Sequence, residues 1–179
     1  MGYYDGINTY GNDDYFGKNN LINELPVKFR KYLLSKNIVS NRLKNQFNVI
    51  ELSIEKWEKI YNLVEIFSSD FNLTSNIRFI NFYIGFNTCA LCISSASYYK
   101  ENVGIPKANT DKCSVCPLSK IDQCTRKNST FNKIEIKLDY FKYKELTEPF
   151  KSVEDHLIEL KSLISKMIKN LQLVKETSA

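Results

Sequence analysis

The sequence predicts a small mixed α+β domain with a cysteine-knuckle metal site and a long C-terminal amphipathic helix. Three observations predict it. All five cysteines fall between Cys89 and Cys124, two pairs of them as C-x-x-C. Residues 134–140 alternate apolar and charged, which is the period of a half-buried strand. Residues 153–174 carry apolar side chains at alternating spacings of four and three, which is the period of a helix seam. At 179 residues the chain is long enough to bury a core without a metal, so a metal here reinforces part of the fold.

The expected organisation is an arm over 1–20, a domain over 21–148 holding the cysteines, and a helix over 149–179. The arm holds four of the six glycines together with Tyr3, Tyr4, Tyr10, Tyr15 and Phe16, and shows no regular period. Leu25-Pro26 opens a first helix running to about Lys36, since proline suits the first helical position. Phe47–Leu52 reads as a short strand. Ser53 is placed to cap a helix carrying Trp57, Ile60, Tyr61, Val64 and Phe67 to about Ser69.

The isoleucine, phenylalanine and tyrosine content of Asn76–Phe86 favours a buried strand entering the first knuckle, with a helix as the alternative. Ser94–Lys100 reads as a short helix and Val103–Thr110 as a loop marked by Gly104 and Pro106. The alternation of Ile134, Ile136, Leu138 and Tyr140 predicts a strand, closed by Pro149. The last helix spans Lys151–Lys175. Its seam is Val153, Leu157, Leu160, Ile164, Met167, Leu171 and Val174, with Ile158, Leu163, Ile168 and Leu173 widening the apolar face. That width favours packing on the domain's own core over a self-associating homodimer through 153–174.

Two thiolate pairs can converge on one cation, and four thiolates match the tetrahedral preference of zinc. Cys89, Cys92, Cys113 and Cys116 form the default set, and Cys124 either replaces one of them or stands beside the site. Cys116-Pro117 also fits iron–sulfur ligation, where proline often follows a ligand, so an iron–sulfur cluster is the alternative cofactor. Four thiolates leave no open position, so zinc here is structural. The single histidine, His156, is given no role.

The run Cys89-Ala90-Leu91-Cys92, then Cys113-Ser114-Val115-Cys116-Pro117-Leu118, then Cys124, resembles a cysteine-rich module of phage- and prophage-encoded proteins. Those proteins read C-x-L-C, C-x-x-C-P-L and a further cysteine, often after a tryptophan-bearing helix like that around Trp57. The resemblance covers about a fifth of the chain. It implies a metal knuckle and a viral origin, and no activity.

Net charge is +5, short of the strong basic stripe of most nucleic-acid binders. Lys28, Arg30 and Lys31, with Arg126 and Lys127 beside the knuckles, are the residues a nucleic-acid-binding alternative would use. No phosphate-binding glycine loop and no nucleophile–base pair is present. The chain therefore reads as a non-enzymatic interaction protein that binds a protein partner, in the manner of a phage inhibitor of host defence. No apolar run is long enough to cross a bilayer, and the expected location is the cytoplasm, of the host if the protein is viral.

Overall fold

The structure, a computed structural model, describes residues 25–85, 88–105, 111–143 and 150–178. Among these residues there is no strand, so the fold is all-α and the α+β expectation is corrected. The arm over 1–20 and the proline at 149 lie outside the described residues.

Helix α1 (Val27–Arg30) is a single turn, shorter than expected, and a separate α2 (Lys36–Lys44) follows it. Ser35 caps α2 through the amide of Ile38, and the helix ends on Gln46, which takes a left-handed φ of 60°. There the amides of Gln46 and Phe47 return to the carbonyls of Leu43 and Arg42, closing the helix without a glycine.

Helix α3 (Val49–Ser68) is the centre of the molecule. Asn48 Oδ1 accepts from the amides of Ile50 and Glu51, so the helix starts before Ser53 and absorbs the strand expected over Phe47–Leu52. Ser53 instead sits buried inside the helix, donating to Val49 O at 2.9 Å. The buried stripe runs through Leu52, Trp57, Ile60, Leu63, Val64 and Phe67.

A 310 stretch (Phe71–Ile80), begun by Asp70 accepting from Asn72 N, leads into α4 (Asn81–Ile84). These elements take the place of the strand expected over Asn76–Phe86. A lone strand would leave its backbone amides without partners, whereas a 310 turn satisfies them locally. Ile77, Phe79, Ile80 and Ile84 still reach the core.

Helix α5 (Ala90–Asn102) contains the short helix expected over Ser94–Lys100. A 310 turn (Asp111–Val115), α6 (Ser119–Asp122) and α7 (Thr130–Tyr143) follow. Helix α7 replaces the strand expected over 134–140. Its alternation concealed a helical face, because Ile134, Leu138 and Phe141 are buried while Ile136 is 58% exposed. Asp122 fixes where α7 begins, its carboxylate accepting from Thr130 N at 3.1 and 3.2 Å and from Asn170 Nδ2 at 2.9 Å.

Helix α8 (Phe150–Thr177) matches the expected long helix to within two residues at either end. All seven seam residues are 4% exposed or less, and α8 packs on α3 and then α7 within one core cluster. The seam is thus filled intramolecularly. Lys161–Glu65 and Lys175–Glu51, both at 2.9 Å, run in opposite chain directions with equal spacing, which records the antiparallel register of α3 and α8. His156 stacks on Tyr140 and meets Lys137 Nζ at 3.2 Å, between α7 and α8. Among the described residues, no helix is long and apolar enough to cross a membrane.

Candidate metal centre

The cysteines lie on α5, which packs on α3, on the 310 turn that packs against α5, and on the segment around α6. Cys89 is the N-cap residue of α5 and Cys92 lies in its first turn, so the first knuckle is the start of a helix. The second is a tight turn, with Cys116 N donating to Cys113 O at 3.3 Å. Ser119 Oγ then holds Cys116 O at 2.7 Å, and Ser129 Oγ holds Cys124 O at 2.9 Å. Leu118, 3% exposed, ties this segment to the core. All five cysteines are in the thiol form and partly buried.

These thiols act on one another. Cys89 and Cys92 are hydrogen-bonded, which lowers the Cys89 thiol and raises Cys92. Burial opposes ionisation of Cys89, while the Lys56 ammonium favours it. Burial pushes Cys116 and Cys124 up, helped by charge on Cys89 and Cys113, and a hydrogen bond from Ser95 partly offsets this at Cys116. Cys124 thus belongs to the same cluster as the two knuckles. Among the described residues, no three Cys, His, Asp or Glu side chains are drawn closely enough together to hold a metal ion as they stand.

Lys56 was not singled out in the sequence, and it is the most informative residue of the site. It lies on the buried stripe of α3 and is 2% exposed. Its Nζ donates to Thr88 Oγ1 at 2.9 Å and to Ile84 O at 3.3 Å, and it stands 5.7 Å from the Trp57 ring centroid. Thr88 Oγ1 lies within hydrogen-bond reach of the Tyr83 and Gly85 carbonyls, at 2.5 and 2.9 Å. Burial lowers the lysine pKa, and charge on Cys89, Cys92 and Cys124 works against that. Among the described residues no carboxylate pairs with it. The signal was available in the sequence: Lys56 interrupts an apolar stripe at a spacing of four from Leu52 and Ile60.

The basic residues fall on two separate elements. Lys28 and Lys31, on and just after α1, are exposed and lie over the Phe29 and Tyr32 rings, while Arg30 donates to Leu25 O at 3.0 Å. Arg126 and Lys127 are exposed on the turn before α7, where Arg126 donates to the Gln123 side chain at 3.1 Å. No family model, curated protein or solved structure matches the chain.

Proposed function

We propose that this is a non-enzymatic interaction protein whose cysteine cluster holds a structural metal, zinc in the first instance, and presents a surface to a protein partner. The observation that carries the reading is Lys56. An ammonium buried without a countercharge costs several kcal/mol, on the order of what an uncompensated buried ion costs elsewhere. The cysteines around it are the available source of negative charge. A thiolate–metal centre supplies that charge permanently, whereas neutral thiols do not.

Four of Cys89, Cys92, Cys113, Cys116 and Cys124 would hold the ion. A zinc bound by four thiolates supplies cross-linking and no reaction, since no coordination position stays open. The corner it would brace carries exposed apolar side chains at the far end of α5, with Tyr98 55%, Val103 59% and Ile105 83% exposed. Such residues suit protein contact. The resemblance of the cysteine pattern to phage modules supports a viral origin and a host protein as partner, with inhibition by occlusion as the mode of action.

The test is metal content. The chain is purified without added metal, and zinc and iron per chain are measured together with the visible spectrum. About one zinc and no colour is the expected result, as for a closed four-thiolate site. Iron with a broad visible band would replace zinc by a cluster. Metal-free protein with five freely titrating thiols would overturn the reading.

A further inference from the structure

We infer that the face formed by α1, α2 and the adjoining flank of α3 binds single-stranded nucleic acid. Lys31, Lys44 and Lys59 meet phosphates there, and Phe47 stacks a base. The face contains no cysteine and needs no metal. The chain's positive charge is concentrated on it. Residues 25–50 hold six basic side chains, Lys28, Arg30, Lys31, Lys36, Arg42 and Lys44, and no aspartate or glutamate. The chain as a whole carries +5, so the other residues taken together are slightly acidic. Lys28, Lys31 and Lys44 are exposed, and among the described residues no carboxylate pairs with them.

Packing joins these residues into one surface. Lys59 Nζ, on α3, donates at 3.5 Å to the carbonyl of Lys31, just after α1. Lys59 and Arg42 meet at Glu55, Lys59 at 3.3 Å and Arg42 through a hydrogen bond. Cations from three elements thus border a single carboxylate. The Arg42 guanidinium in turn lies 4.6 Å from the centroid of the Phe47 ring. That ring is 49% exposed, next to the exposed side chains of Asn45 and Gln46. Beneath α2, Leu34, Val39, Leu52 and Ala90 form a small core of their own, which fixes this layer in place.

A face of one sign complements a polyanion. The aromatic ring narrows the class to nucleic acid, because an acidic peptide would use the lysines and leave the ring idle. A base can stack on Phe47 only when it is unpaired, since a duplex hides the faces of its bases. Arg42 backs the ring by a cation–π contact, and Glu55 holds the guanidinium there. The exposed part of the ring is left for the base, and Asn45 and Gln46 offer amides to sugar or base edges.

Fluorescence anisotropy of labelled oligo-dT and oligo-U, about twenty nucleotides long, tests this against a duplex of equal length between about 50 and 200 mM salt. Both single strands should bind and the duplex should bind more weakly. Tighter binding of oligo-U points to RNA and of oligo-dT to DNA, and either result supports the inference. Log affinity should fall with log salt by about 0.7 for each phosphate contact, and Lys31→Ala with Lys44→Ala should make that slope shallower by about 1.4. Phe47→Ala should weaken binding about 5–150-fold, the worth of one stacked base, and leave the slope unchanged. Phe47→Leu keeps the apolar bulk and serves if the alanine variant melts lower than the parent. Arg126→Ala with Lys127→Ala, on the other basic element, should bind as the parent does.

No binding at low salt would overturn the inference, and so would a slope that the double lysine variant leaves untouched. Duplex binding as tight as that of the single strands would overturn it as well. So would an equal loss in the Arg126 and Lys127 variant, or displacement of the strand by polyglutamate as readily as by unlabelled oligo-dT.

Discussion

The frame of α3, α7 and α8 and the cysteine corner at α5 and α6 are built on opposite principles. Helix α3 buries Leu52, Trp57, Ile60, Leu63, Val64 and Phe67 along one stripe, and α8 buries seven seam residues against it. Helix α5 buries only Ala90, Leu91 and Ser95. The apolar residues of the frame hold it together by removal from water, a cooperative and non-directional effect. In the corner, Leu91 and Leu118 reach the core, while the other groups turned inward are a lysine, two hydroxyls and several thiols, which repay burial only when each finds its partner. The frame should therefore fold on its pattern alone, and the corner should depend on what its polar groups bind.

The largest expected effect lies in the frame. Leu160 is fully buried in the α8 seam, and Leu160→Ala should cost about 2–5 kcal/mol of stability in urea unfolding. The loss should be the same with and without a strong chelator. A chelator-dependent loss would mean that frame and corner are one unit.

Removing the metal, or Cys89→Ser, should act on the corner. A ligand present at a hundredfold excess over its Kd contributes about 2.7 kcal/mol. Amide exchange should therefore accelerate over residues 88–124 while α3 and α8 stay protected. Equal acceleration in both regions would remove the distinction drawn here.

A third effect sits on α7. Burial and the neighbouring Asp139 raise the Glu135 carboxyl from 4.5 to about 7. The folded chain thus holds that proton more tightly than the unfolded chain. Its stabilising contribution is present at low pH and is lost as pH rises from about 4.5 through about 7. Glu135→Gln should flatten this decline, read as the difference in urea midpoint between variant and parent across that range. Parallel curves would show that Glu135 is solvated.

The smallest effect is at the end of α2, in a turn that involves neither region. Gln46 holds a left-handed φ of 60°, which a side chain resists and glycine accepts. Gln46→Gly should stabilise the chain by up to about 1 kcal/mol. A loss of stability would mean that the glutamine side chain supports the turn.

How far each region could be read from the sequence follows the same division. The α8 seam and the Trp57 helix were legible because a period of three and four over several turns has one structural meaning. The period of two at 134–140 misled, since Ile134 and Leu138 share a face in a helix as well as in a strand. What decided between them was the Asp122 carboxylate capping Thr130 and reaching Asn170, a contact across 48 residues. Asn48 likewise overrode the β-branched Val49 and Ile50 by capping α3. The end of α2 was hidden because glutamine stands where glycine would have marked it.

The helical seam, the buried stripe of α3 and the grouping of all five cysteines within one stretch follow from the order of residues alone. Those features are written in spacing, and spacing survives without knowledge of the neighbours. That no described segment pairs as a strand was settled by tertiary packing, because pairing needs a partner and none of the described residues offers one. It alone brought Lys56 from the central helix to the thiols, more than thirty positions along the chain, since which charge ends beside which sulfur is fixed by helix packing.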